Sequence, residues 1–136
     1  MLFGKGIVMT DNTFSVTLKV EEEHLACSMG SGSLMVLATP EVVALMENAA
    51  SQLADKIIND DELTTVGTSI SINHISPTPL GAEITATATL NKVDGRMYSF
   101  DVVAKDEKGE IANGSHTRVV VNAIKFQTKA DEKFYE

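Results

Sequence analysis

The chain has 136 residues, 43% of them hydrophobic and 22% charged, which suits one buried core and excludes a disordered segment. Against 11 basic residues stand 19 acidic ones, and the net charge of −8 repels a phosphate backbone, so nucleic acid is excluded as the main partner. Aromatic residues total only 5% and Trp is absent, which removes a base-stacking surface as well.

No apolar run nears the roughly 20 residues of a membrane span. The opening stretch MLFGKGIVMTDN lacks an apolar core followed by a cleavage site, so no export signal is expected. The single cysteine, Cys27, cannot close an internal disulfide, and no Cys/His spacing suggests zinc. A reducing, cytoplasmic setting is the expectation, with neither metal nor organic cofactor.

No repeat, linker or low-complexity tract interrupts residues 1–136, so one domain is expected. Phe14, Val16, Leu18 and Val20 alternate as a first strand. The glutamates at 21–23 read as a solvated charge run, and His24 behind them as a surface residue. Gly30-Ser31-Gly32-Ser33 is a flexible break without the lysine of a phosphate loop. Thr39-Pro40 then opens a helix that reaches about Asn59, with Thr39 suited to the N-cap and Pro40 to the first helical position. Val42, Val43, Met46, Ala49, Ala50, Leu53, Ala54 and Ile57 make its apolar arc.

From 65 to 122 the pattern has period two. Val66, Thr68, Ile70, Ile72 and His74 share one parity; Ile84, Ala86, Ala88 and Leu90 share the next; Tyr98, Phe100, Val102 and Ala104 follow. Turn signals at 77–81, Asp94-Gly95 and 106–109 separate these strands from each other and from a last one at 110–122. Strand, long helix, then four strands in a meander predicts an α+β layer, the helix lying across one antiparallel sheet. The sheet's exposed edges predict pairing with a second copy.

Three residues stand out as chemistry. Glu47 lies about 120° around the helix from the centre of its polar face, where a carboxylate loses hydration and needs a partner or a proton. A helix-edge glutamate reaching water explains it equally well. His74 ends a strand on the parity of Ile70 and Ile72, leaning toward the helix, and a buried acid beside an imidazole shifts both groups' proton affinities. Thr39 places a hydroxyl at a helix N-terminus, where free amides and the positive dipole end stabilise developing negative charge. Gly67 inside a strand marks a close backbone approach. Arg118, on the parity of His116, Val120 and Asn122, reads either as a site residue or as a cross-strand ion pair in so acidic a chain. Cys27 has no base near it in sequence and reads as a buried thiol.

These positions fall in Val36-Leu37-Ala38-Thr39, Leu45-Met46-Glu47, Thr65-Val66-Gly67-Thr68, His74-Ile75-Ser76-Pro77-Thr78-Pro79 and Gly114-Ser115-His116-Thr117-Arg118. In order and over about 36–129, these motifs resemble the fluoroacetyl-CoA thioesterase family of hotdog-fold proteins. Eight residues separate Thr39 from Glu47 and seven separate Gly67 from His74, as in the family. The resemblance implies a curved antiparallel sheet wrapped around the long helix, working as a homodimer with acyl-CoA near the interface. It implies Thr39, Glu47 and His74 as catalytic residues and Gly67 and Arg118 as substrate contacts. The expected reaction is hydrolysis of a short- or medium-chain acyl-CoA thioester; a non-catalytic acyl-CoA or small-ligand binding module on the same fold is the alternative. An enoyl-CoA hydratase fits the spacing less well. One departure bears on substrate: the phenylalanines that form the fluoroacetyl enzyme's lid are absent from Gly30-Ser31-Gly32-Ser33-Leu34. Basic groups such as Lys125 and Lys129 must offset the acidic field for a polyanionic CoA to bind.

Overall fold

The computed structural model describes residues 9–10 and 12–135; the opening stretch, where no export signal is expected, falls mostly outside them. The elements in chain order are β1 (Met9–Thr10), β2 (Thr13–Lys19), α1 (Ala26–Met29), α2 (Thr39–Ile58), β3 (Leu63–His74), β4 (Glu83–Asp94), β5 (Met97–Asp106), β6 (Gly109–Asn122) and α3 (Ala123–Glu132). No helix among the described residues is long and apolar enough to cross a membrane.

Helix α2 ends where expected, at Asn59 in the left-handed region with φ 49°. It buries Val42, Met46, Ala49, Ala50, Leu53 and Ala54, all from the expected arc. That face lies across the sheet and touches β2 through β6. The sheet answers with Phe14, Ile84, Ala86, Ala88, Phe100 and Val102, each at most 1% exposed. Alanines on both sides keep the two layers close, and the phenylalanines fill the ends at the density of a packed interior.

All strand pairs are antiparallel, in the order β1-β2-β4-β5-β6-β3. This corrects the expected four-strand meander. Only β4, β5 and β6 form one; β3 crosses the sheet and pairs with β6 from Leu63↔Asn122 to His74↔Ala112. Alternation fixes which face a residue takes but not which strand lies beside it, and neighbouring strands in sequence pair only about two-thirds of the time. The crossover leaves β3 as a long edge strand.

A second correction lies within β3. The pairing slips between Gly67 and Ser69, so Thr68 occupies a β-bulge. An extra residue reverses the side-chain phase. Thr65 and Gly67, opposite Val120 and Arg118, therefore join Ile70, Ile72 and His74 on the helix face, rather than Val66 and Thr68 as the alternation suggested. Helix α3 was not foreseen, and none of its residues is buried.

Close approach of β3 to β6 depends on Gly114, where an added Cβ would collide with the Ser71 carbonyl and lie 2.8 Å from the Ile72 Cα. Both obstacles are backbone and cannot swing aside. Gly114→Ala is expected to destabilise the fold by about 1–3 kcal/mol or more, as overpacking does. Urea unfolding checks this, and a change within about 0.5 kcal/mol, the range of a neutral surface substitution, would contradict it.

Candidate active site

The turn of chain before α2 and the loop after β3 are stitched together by backbone. Leu37 N–H donates to the Thr78 carbonyl at 2.9 Å, and Ala38 N–H donates to the His24 carbonyl at 2.9 Å. Thr78 is fully buried, and its hydroxyl donates to Asp106 Oδ2 at 3.0 Å, which ties the loop to the end of β5. Beyond His74, Ile75 N–H donates to the Ile111 carbonyl at 2.7 Å. These bonds hold the start of α2 against the end of β3.

Their result is a direct pair: Thr39 Oγ1 lies 2.8 Å from His74 Nδ1. The helix begins one residue earlier than the capping expectation, with Ala38 at the N-cap and no side-chain cap bond. Thr39 is therefore the first helical residue, and its hydroxyl serves the imidazole instead of the helix. His74 Nε2 is buried and has no hydrogen-bond partner among the described residues. Such a group costs about 1–3 kcal/mol while unpaired. Thr39 and His74 line one cavity of about 310 Å³ with Ala26, Val36 and Leu37.

Glu47 belongs to a different group. With Gly67, Arg118, Thr65, Ala44 and Ser51 it lines a second, more open groove of about 400 Å³. A Cβ placed on Gly67 would stand 3.0 Å from Glu47 Oε2, 3.3 Å from His116 Cε1 and 3.5 Å from Arg118 Nη1. The glycine thus leaves room where three polar side chains converge. Arg118 is buried, with no carboxylate at ion-pair distance among the described residues; its Nε donates to Thr65 Oγ1 at 2.7 Å and its Nη2 to the Thr65 carbonyl at 2.9 Å. Burial pushes the guanidinium below its ordinary value, while the Glu47 and Asp55 carboxylates hold it up.

Within one chain, then, Thr39 meets His74, and Glu47 meets the Gly67–Arg118 face. The eight residues from Thr39 to Glu47 span about 12 Å of helix, and the stretch from Gly67 to His74 about 20 Å of strand.

The sequence profile of a family described as fluoroacetyl-CoA-specific thioesterase matches residues 20–124. The fluoroacetyl-CoA thioesterase of Streptantibioticus cattleyicolor is 38% identical over 98 residues, which are 72% of this chain and 70% of that protein. The chain belongs to this family. A solved point mutant of the fluoroacetyl-CoA-specific thioesterase FlK, in complex with fluoroacetate and CoA, superposes with a TM-score of 0.81 at 31% identity, covering 89% of this chain and 98% of that one. A hot-dog-like protein from Thermanaerovibrio acidaminovorans shares the fold, with a TM-score of 0.80 at 22% identity over 90% of each chain. The helix-on-sheet arrangement of this family member is thus a hotdog.

Other sequence readings shift in position. Cys27 is exposed on α1, against the expectation of a buried thiol, because α1 buries only Ala26. His24 is half-buried and accepts the Glu21 N–H through Nδ1 at 2.9 Å, closing a short helical turn. The residue that sequence reasoning passed over is His116, 1% exposed and next to Arg118 on β6. Its shared parity with Arg118 was the available signal.

Burial, the largest influence, pushes both His74 and His116 below the ordinary value of 6.5, against the nearby Ser76 backbone and the Ser69 carbonyl bond, which raise them. As pH falls, the unfolded chain takes up these protons before the folded one does. The two histidines' contribution to stability is therefore complete above 6.5 and drains away as pH drops through the lower folded values. The urea midpoint is expected to fall between about pH 7.5 and about pH 5.5, and to fall less in His74→Gln. An equal slope in the variant would contradict the reading of His74.

Proposed function

We propose that this chain hydrolyses short- to medium-chain acyl-CoA thioesters to the free acid and CoA, at a site completed by a second copy of itself. The observation that carries the reading is the 2.8 Å pair of Thr39 Oγ1 and His74 Nδ1 at a helix N-terminus. A hydroxyl bonded to a neutral imidazole is a nucleophile or water-positioning group with its base already in reach. His74 Nδ1 accepts the proton that leaves Thr39 Oγ1, whether that hydroxyl attacks the carbonyl carbon itself or passes on the proton of an attacking water. The carbonyl oxygen becomes an oxyanion, and its collapse breaks the C–S bond, the CoA thiolate leaving with the proton that His74 holds. Attack by water gives the free acid directly; attack by Thr39 gives an acyl ester that a second water, deprotonated by His74, hydrolyses to the acid and the free hydroxyl. The Thr39 amide, at the positive end of α2, and the amide of the partner's Gly67 are the donors for that oxyanion.

The role of Glu47 requires the second copy. A two-fold pairing of the β3 edge runs antiparallel, so it carries one chain's Gly67 region toward the other chain's His74. The partner's Glu47 then approaches the buried, unpaired Nε2 of His74 and orients the ring. Arg118 steadies the acyl or thioester group beside Gly67. Two observations support a small, unfluorinated acyl group: the cavity is about 310 Å³, and its lining, which includes Val36, Leu37 and Ile75, holds no phenylalanine. The setting is cytoplasmic, where acyl-CoA esters are made and spent.

Thiol release from acetyl- through hexanoyl-CoA tests the reading. His74→Ala is expected to lower kcat by about 10²–10⁴-fold and Glu47→Gln by about 10²-fold, with the fold intact by circular dichroism. Wild-type rates in both variants would contradict the assignment. Thermal stabilisation of the wild type by acyl-CoA without thiol release would instead make this a binding module.

A further inference from the structure

We infer that His116 is a positioning residue, held in one neutral tautomer so that its Nε2 fixes the Arg118 guanidinium beside Gly67; this rests on the hydrolase reading of the same site. The imidazole is 1% exposed. Its Nδ1 lies 2.7 Å from the Ser69 carbonyl and its Nε2 lies 3.2 Å from Arg118 Nη1. A carbonyl only accepts, so Nδ1 carries the hydrogen. A guanidinium nitrogen only donates, so Nε2 carries the lone pair. The two bonds together leave room for one protonation state.

Arg118 is thereby clamped from both sides. Thr65 takes Nε and Nη2, and His116 takes Nη1. All three guanidinium nitrogens are engaged by neutral acceptors, so the cation is oriented without being neutralised. It stands where a Gly67 Cβ would be 3.5 Å from Nη1, at the point where Glu47 also arrives. The Ser69 carbonyl sits at the register break between Gly67 and Ser69, so the β-bulge supplies the acceptor that sets the tautomer. The Phe100 ring, 6.1 Å away between centroids, covers the imidazole and keeps it from turning. The charged groups that act on His116 are Arg118 on its own strand and Glu47 on α2; Asp55 on α2 acts on Arg118, and Tyr98 pairs with Arg118 from β5. A proton on Nε2 would face the guanidinium and break the clamp.

The full chain and two variants test this. In His116→Asn the shorter amide keeps a donor for Ser69 and loses the acceptor for Arg118; in His116→Gln an amide oxygen takes the place of Nε2. Nitrogen-15 NMR is expected to show the Nδ1–H tautomer near neutral pH, and slowly exchanging Arg118 side-chain N–H signals in the wild type and His116→Gln but not in His116→Asn. With acetyl-CoA, His116→Asn is expected to lower kcat/KM by about tenfold or more, the scale of one hydrogen bond to a charged group, with His116→Gln recovering to within about threefold. The Asn loss disappears in a chain already carrying Arg118→Met. An imidazolium or Nε2–H tautomer near neutral pH, or unchanged Arg118 signals in His116→Asn, would overturn the inference. So would equal melting losses in both variants with kcat/KM untouched. A wild type that releases no thiol from any acyl-CoA would remove the hydrolase reading, while the NMR signals still decide the role of His116.

Discussion

An α-helix advances about 1.5 Å per residue, and that rise governs how this site is built. Thr39 starts α2 and Glu47 sits two turns along it, so one copy of the helix cannot bring both to the same atom. Each chain therefore carries two half-sites. One is the hydroxyl–imidazole pair at the head of the helix; the other is the carboxylate–guanidinium face against the bulged part of β3. The proposed pairing of two copies along the exposed edge of β3 brings opposite halves together.

The halves are rigid for different reasons. Thr39 and His74 are held by backbone bonds through Leu37, Ala38 and Ile75, and by a buried Thr78 that reaches Asp106. Arg118 is held by its neutral partners Thr65 and His116, and Glu47 lines the same groove. The buried guanidinium has no carboxylate at ion-pair distance among the described residues, and the Glu47 and Asp55 carboxylates act on it from farther off. In a chain of net charge −8 such an inward-facing cation matters, because the general field disfavours an anionic ligand. On the other side, His74 Nε2, without a hydrogen-bond partner among the described residues, is a cost that the proposed partner carboxylate relieves.

Much of the architecture was legible in the residues. The apolar arc of α2, the strand alternation of 83–90 and 98–104, and the turns at Gly95 and Gly109 follow from period and backbone freedom alone. What stayed hidden has common causes. Alternation is local, so it could not say that β3 crosses to β6. A single extra residue at Thr68 inverts a phase that sequence reads as continuous. Thr39 and Pro40 fit a helix start in two registers one residue apart, and only the His74 contact separates them. The five candidate positions could be singled out in the sequence, but their grouping into a Thr39–His74 pair and a Glu47–Gly67–Arg118 face could not, because spacing along a chain does not say which side chains meet. His116 was visible only as a neighbour in parity; its two hydrogen bonds depend on the bulge.

Mixed dimers test the central claim most directly. Chains carrying His74→Ala and chains carrying Glu47→Gln, each inactive alone, are co-expressed with different tags and the heterodimer is isolated. A site shared between copies predicts that this heterodimer regains one intact centre, about half the wild-type thioesterase rate per dimer. A heterodimer no more active than its parents would show that each chain must supply both groups itself, and would contradict the account.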